Sequence, residues 1–238
     1  MNTATLIEML KYKRPSFSTT EKEFIEKYIM VAHPSATMDG YGNVIINTCD
    51  NPNTIFSCHT DTVDTNEGFR DVFYDEIFNL VYSIDDILGA DDCAGVYIML
   101  DMIEHDIPGR YIFHREEEQY CGGSTYIKNV TPHILHGIEK AIAFDRMGDS
   151  DVIDKMILGE CVEPNFAEKL CVTLSDSEYQ FHTATGIYTD TMMYRDIIKN
   201  CTNISVGYHN QHSNDEFLDL EFFNWLVEKV KTIDWQSL

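Results

Sequence analysis

The stretch Thr54-Ile55-Phe56-Ser57-Cys58-His59-Thr60-Asp61 runs apolar and small residues directly into a histidine and an aspartate. The first five residues read as a buried strand. The polar pair behind them stands where open α/β sheets place their sites, just beyond a strand's carboxyl end. Working outward, the same juxtaposition recurs. Tyr111-Ile112-Phe113 leads to Glu116-Glu117-Glu118, Ala141-Ile142-Ala143-Phe144 leads to Asp145, and Val206-Gly207 leads to His209 and His212. Ile87-Leu88-Gly89-Ala90 leads to Asp91 and Asp92, which open a helix over 91–104 with Val96, Met99, Leu100 and Ile103 at helical spacing. Further helices are expected at 3–12, 20–31 and 217–233, a turn at 39–43, a strand at 44–46 and a hairpin or strand pair across 70–84. Strands alternating with helices predict an α/β sheet layered with helices.

Composition narrows the function. The 238 residues carry 17 Lys+Arg against 40 Asp+Glu, a formal charge of −23. That acidity repels nucleic-acid phosphates and anionic membranes, and is compatible with cationic partners, divalent metals among them. With 44% hydrophobic residues the chain can bury a core. No apolar stretch approaches the ~20 residues that span a bilayer. The start of the chain lacks a signal-peptide apolar region, so the cytoplasm is the expected compartment. Seven scattered cysteines without a Cys-x-x-Cys pair make neither a disulfide framework nor a thiolate zinc site. Cys58, Cys93 and Cys121 are read as small packing residues.

Taken singly, each acid or histidine has a plain explanation. An Asp at a helix start is usually a cap, a Glu triplet a solvated face, a lone His a hydrogen-bonded residue. Together, at the strand ends of one sheet, they would converge on a single rim. Two histidines with several carboxylates can hold two divalent cations sharing one bridging carboxylate, and mixed imidazole–carboxylate donors suit zinc, cobalt or manganese. A nearby free carboxylate would serve as general base.

The motifs resemble those of the zinc-dependent exopeptidase superfamily, which includes leucyl-type aminopeptidases, tripeptidase T, glutamate carboxypeptidases and amino-acid deacylases. Ser57-Cys58-His59-Thr60-Asp61 is similar to the family's His-x-Asp strand end. Gly89-Ala90-Asp91-Asp92-Cys93-Ala94-Gly95 is similar to its Gly-Ala-Asp-Asp-x-Ala-Gly segment, with Cys93 where Lys is common. Glu117-Glu118-Gln119-Tyr120-Cys121-Gly122-Gly123-Ser124 resembles its Glu-Glu motif, with Tyr120 where Gly is common, and this register sets Glu116 aside. Phe144-Asp145-Arg146 and His212-Ser213-Asn214-Asp215-Glu216 complete the order, the latter favouring His212 over His209.

The resemblance implies a three-layer α/β/α fold around a central, mostly parallel mixed sheet, and two divalent metal ions, zinc foremost, with cobalt or manganese as substitutes. It implies that one metal is held by His59, Asp91 and Asp145, and the other by Asp91, Glu118 and His212. Asp61 would fix the His59 ring, Glu117 would be the base, and Asp190, in a Thr-Asp element, would lie near the substrate pocket. Only 30 positions separate Asp61 from Asp91 and 67 separate Asp145 from His212. Neither gap holds the domain that relatives insert, so residues 1–238 are expected to form a single bare catalytic domain, as a monomer or small homo-oligomer. The oxyanion would then be met locally, by Tyr208, His209 or Arg146.

The implied activity is cleavage of short peptides, foremost as an aminopeptidase, with Glu116, Asp92 or Asp149 as candidate anchors for the substrate ammonium. Alternatives are a deacylase or carboxypeptidase, for which Arg146 and Arg195 are the candidate carboxylate grips, and a catalytically silent metal-binding protein.

Overall fold

The computed structural model describes residues 2–157 and 159–238. Among the described residues its main sheet has nine strands: the short edge strands Thr37–Met38 and Gly159–Glu160, and seven that frame the site, β1 (Val44–Asn47), β2 (Thr54–His59), β3 (Arg110–His114), β4 (Lys140–Arg146), β5 (Asp151–Met156), β6 (His182–Thr185) and β7 (Asn200–Ser205). Four of them, in the order β3-β2-β4-β7, run parallel at the centre. Beyond them β1 pairs antiparallel with β3, and β5 antiparallel with β7, while β6 lies parallel to β5. The sheet is mixed and mostly parallel at its core, as expected.

Alternation along the strands separates two cores. Phe56, Cys58, Tyr111, Phe113, Ile142 and Phe144 belong to one buried cluster, together with residues of α1 (Thr3–Leu10), α3 (Ala90–Glu104) and α6 (Leu220–Lys231). Ile55, Ile112 and Ala141 point the other way, to a cluster with Ile127 of α4 (Gly122–Val130) and Tyr194. Because successive strand side chains face opposite sides, a strand apolar at every position must be covered twice. The result is three layers.

Helix α3 is buried along its length from Ala90 to Ile103. Gly95 makes its close seat possible: a Cβ there would lie 2.1 Å from the Phe144 carbonyl oxygen. That contact sets the start of α3, and with it Asp91, against the end of β4.

Elsewhere the expected elements shift at their ends. The second helix, α2 (Thr19–Phe24), continues over Ile25–Met30 as a π-helix. The hairpin forms from Phe73–Asp75 and Leu80–Tyr82. Residues 217–219, read as the start of the last helix, instead form a strand pairing with Leu80–Tyr82. Asp219 then caps α6, its carboxylate accepting the Glu221 and Phe222 N–H groups. All seven cysteines are free, and Cys58, Cys93 and Cys121 are buried. Among the described residues no helix is long and apolar enough to cross a membrane.

Candidate metal centre

The chain leaves β2 through α3 to reach β3 on one side, then returns through α4 to β4 on the other side of β2. This reversal opens a crevice between the carboxyl ends of β2 and β4. His59 is the last residue of β2 and Asp145 the last but one of β4. Asp91, at the start of α3, keeps non-helical backbone angles and so turns toward the crevice rather than continuing the helix.

Two groups of donors meet there. His59 Nε2 lies 3.0 Å from Asp91 Oδ1 and 3.5 Å from Asp145 Oδ1. His212 Nε2 lies 3.1 Å from Asp91 Oδ2 and 3.0 Å from Glu118 Oε1. Within each triad the potential ligand atoms lie within 4.8 Å of one another. The two oxygens of Asp91 thus face two different imidazoles, the disposition a bridging carboxylate needs.

Neighbouring groups orient the donors. His59 Nδ1 is 3.0 Å from the Asp61 backbone carbonyl and 3.4 Å from Asp61 Oδ1. The carbonyl is the nearer acceptor, and it leaves Nε2 as the lone-pair nitrogen. Asp61 also accepts the Ser16 hydroxyl (2.7 Å) and the Glu117 N–H (3.1 Å), which ties the histidine to the loop of the Glu pair. Asp145 accepts the Thr189 hydroxyl at 2.8 Å and the Tyr208 hydroxyl at 3.3 Å. Across the sheet, Asn203 accepts the Asp145 N–H and donates to the Asp145 carbonyl.

Glu216 has a positioning role that the sequence reading left unassigned. Its buried carboxylate accepts the N–H groups of Leu88 (2.9 Å), Gly89 (2.8 Å) and Asp91 (3.1 Å), clasping the turn that presents Asp91. The signal was an acid four residues after His212, visible in the motif but silent about its partner.

Electrostatically the metal end of the cleft is dominated by carboxylates, and the guanidinium on its border, Arg146, is paired with Asp151. Burial drives the Glu117 carboxyl well above the ordinary range, and the charges of Asp145 and Asp190 add to the effect. Burial likewise raises Glu118 to about 7. Hydrogen bonds to Asp91 and Glu118 raise His212 to about 10. Burial opposes the His59 cation, but Asp145, Asp61 and Asp91 outweigh it and raise the ring's affinity for a proton. Against its own burial, Asp91 is held low by His212 and His59. Protons on the imidazoles stand where cations would, and divalent ions in their place fit this donor set.

Other candidates fall elsewhere. Asp190 is buried and faces His114 Nδ1 at 3.2 Å, outside the cleft, and its neighbour Thr189 is the residue that reaches Asp145. Burial raises the Asp190 carboxyl to about 8 and lowers His114 to about 3. His209 stacks on Phe217 with ring centroids 4.8 Å apart and belongs to neither triad. None of the three expected ammonium anchors lines the cleft. Asp92 is fully buried and accepts the His59 and Gly95 N–H groups, Glu116 is bonded to the Tyr41 hydroxyl, and Asp149 is exposed. The cleft itself, about 460 Å³, is bordered by Asp91, Glu117, Glu118, Asp145, Tyr208 and His212 at one end.

No protein-family model and no curated protein matches this sequence. Solved structures do match. The chain is similar to aminopeptidase PepT of Bacillus cereus, with 14% identity, a TM-score of 0.76, and 96% of this chain and 95% of that chain covered. A tripeptidase of Staphylococcus aureus gives 14%, 0.75 and the same coverage. A TET aminopeptidase of a marine-sediment thaumarchaeon gives 11%, 0.72, and 98% of both chains. At such identities the likeness is one of fold, and the fold is the one these peptidases have.

Proposed function

We propose that the protein is a metal-dependent peptidase, an aminopeptidase acting on short peptides with two divalent cations, zinc in the first instance. The observation that carries this reading is the Asp91 carboxylate between two imidazoles, with Glu117 lining the same cleft and belonging to neither triad. The fold shared with aminopeptidases and a tripeptidase supports it.

In this reading His59, Asp91 and Asp145 hold one cation, and Asp91, Glu118 and His212 hold the other. Such cations polarise a carbonyl and make water a nucleophile at neutral pH. Glu117 takes a proton from the attacking water as its oxygen bonds the carbonyl carbon, and returns that proton to the leaving nitrogen as the C–N bond breaks. The Sγ of Cys121, 3.7 Å from Glu117 Oε1, holds the carboxyl in place. Tyr208 borders the cleft with its hydroxyl donated to Asp145, and it would steady the developing oxyanion by turning that one O–H from Asp145 to the substrate.

Glu117→Gln tests the assignment. It should keep both metals, measured by elemental analysis, and lose about 10²–10⁴ of kcat, the usual share of a general base. Unchanged turnover would sink it. Arg146 borders the cleft and favours a second reading, a carboxypeptidase or deacylase gripping a substrate carboxylate. Its Nε and Nη2, however, both go to Asp151 Oδ2, at 3.0 and 2.9 Å. Arg146→Ala should therefore affect free-carboxylate and amidated peptides alike. A selective loss on the former would move the assignment to the second reading.

A further inference from the structure

The cleft is acidic at one end and apolar at the other. Its metal end rests on the termini of β2 and β4. Its far end lies across β7, where β5 supplies Ile153 and Met156, and the segments around it add Met147, Ile187 and Met193. Between residues 147 and 193 no charged side chain lines the cleft. This wall is continuous with the metal end, so a peptide held there with its scissile bond over Glu117 must lay some part of itself against it.

We propose, resting on the aminopeptidase reading, that this wall receives the side chain of the residue whose peptide bond is cut. It selects a long apolar side chain, methionyl or leucyl, over glycyl, alanyl and charged ones. Three of the five wall residues are methionines, whose unbranched, polarisable side chains adapt to flexible aliphatic shapes. A lysyl side chain would place a charge against apolar surface with no partner, and a glutamyl one would find only Arg146, whose Nε and Nη2 are already taken by Asp151; either carries a large desolvation cost. A glycyl or alanyl residue would leave the wall uncovered and forgo its burial.

Gly186 sets the depth of this pocket. A Cβ at this position would meet Ile153 Cγ2 at 2.9 Å and Cγ1 at 3.3 Å. Both atoms branch directly from the Ile153 Cβ and turn only with χ1, so alanine at 186 would add volume to the wall and crowd Ile153 within it. Gly186→Ala should therefore shallow the pocket, and Ile153→Ala should deepen it.

The test has two readouts. The first is kcat/KM of the zinc-loaded protein on glycyl, alanyl, leucyl, methionyl, phenylalanyl, lysyl and glutamyl p-nitroanilides. The second is calorimetric binding of free L-methionine, L-leucine, L-alanine and L-lysine to zinc-loaded Glu117→Gln protein. Leucyl and methionyl substrates should exceed alanyl by about 100-fold, the scale of discrimination an apolar pocket gives for one or more methylenes. Gly186→Ala should cut that ratio about tenfold, and Ile153→Ala should shift preference toward phenylalanyl. Turnover with a flat profile, or a preference for charged residues, would overturn the pocket and leave the peptidase reading standing. Selective binding of methionine and leucine without turnover of any substrate would support the pocket and overturn the peptidase reading. Neither turnover nor selective binding would overturn both.

Discussion

The two donor triads share Asp91 yet differ in what holds them. His59, Asp91 and Asp145 have side chains 1%, 10% and 8% exposed, and they stand at the ends of central strands and of a buried helix. In the other triad Glu118 is 8% exposed, but His212 is 47% exposed and sits on a loop at φ 63°. A donor carried by a packed strand end cannot relax away when its partner is removed, and it is desolvated before any ion arrives. A donor on a solvated loop can do both. The first triad is therefore rigid and costly to break, the second adaptable and cheap to break.

The largest contrast is expected between His59→Ala and His212→Ala. The first leaves Asp91, Asp92 and Asp145 crowded in a buried crevice, and should cost about 3–5 kcal/mol of stability, the range for breaking a buried pair, besides losing metal. The second should lower the metal content from two ions to one with little change in the denaturation midpoint. Metal analysis and urea titration of both variants check this. Equal midpoints would erase the difference between the triads. Next in size is the response to a chelator. The proposed cations should leave in two phases, and the faster phase should be absent from His212→Ala. A single phase in the wild type would mean that the shared Asp91 couples the sites into one. The smallest effect is expected from Glu216→Gln. Its amide nitrogen cannot accept the N–H groups that the carboxylate clasps, so the turn presenting Asp91 loosens. Because Asp91 serves both triads, affinity at both should fall together, by about 10–100-fold. Weakening at one site alone would place Glu216 outside the shared support.

Much of the site was legible along the chain because strand ends announce themselves. An apolar run that stops at His59 or Asp145 marks both the sheet and the place where its polar residues emerge. The fold class followed from the same runs. Less legible was the segment from 147 to 199, which yielded no expected element. Its strand β5 pairs with β7 through a single register position and with β6 in parallel, so its order comes from distant partners rather than from local patterning. The start of α6 was misplaced because Phe217-Leu218-Asp219 carries a helix-compatible pattern, and pairing with Leu80–Tyr82 overrides it.

The sequence by itself determined which chemistry is available: two histidines and a set of carboxylates, each released at the end of a run that had to be buried. Burial of the runs is a local demand of composition, so their ends can be read directly. Only the tertiary structure decided which acids share a space. It brought His212 rather than His209 to Glu118, sent Asp92, Glu116 and Asp190 to other partners, gave Glu216 its three N–H donors, and set the methionine wall beside the cleft. Those outcomes rest on strand order and register over separations from 33 residues, Asp92 to His59, to 128, Glu216 to Leu88, and no local pattern encodes where a side chain points after the chain has closed on itself.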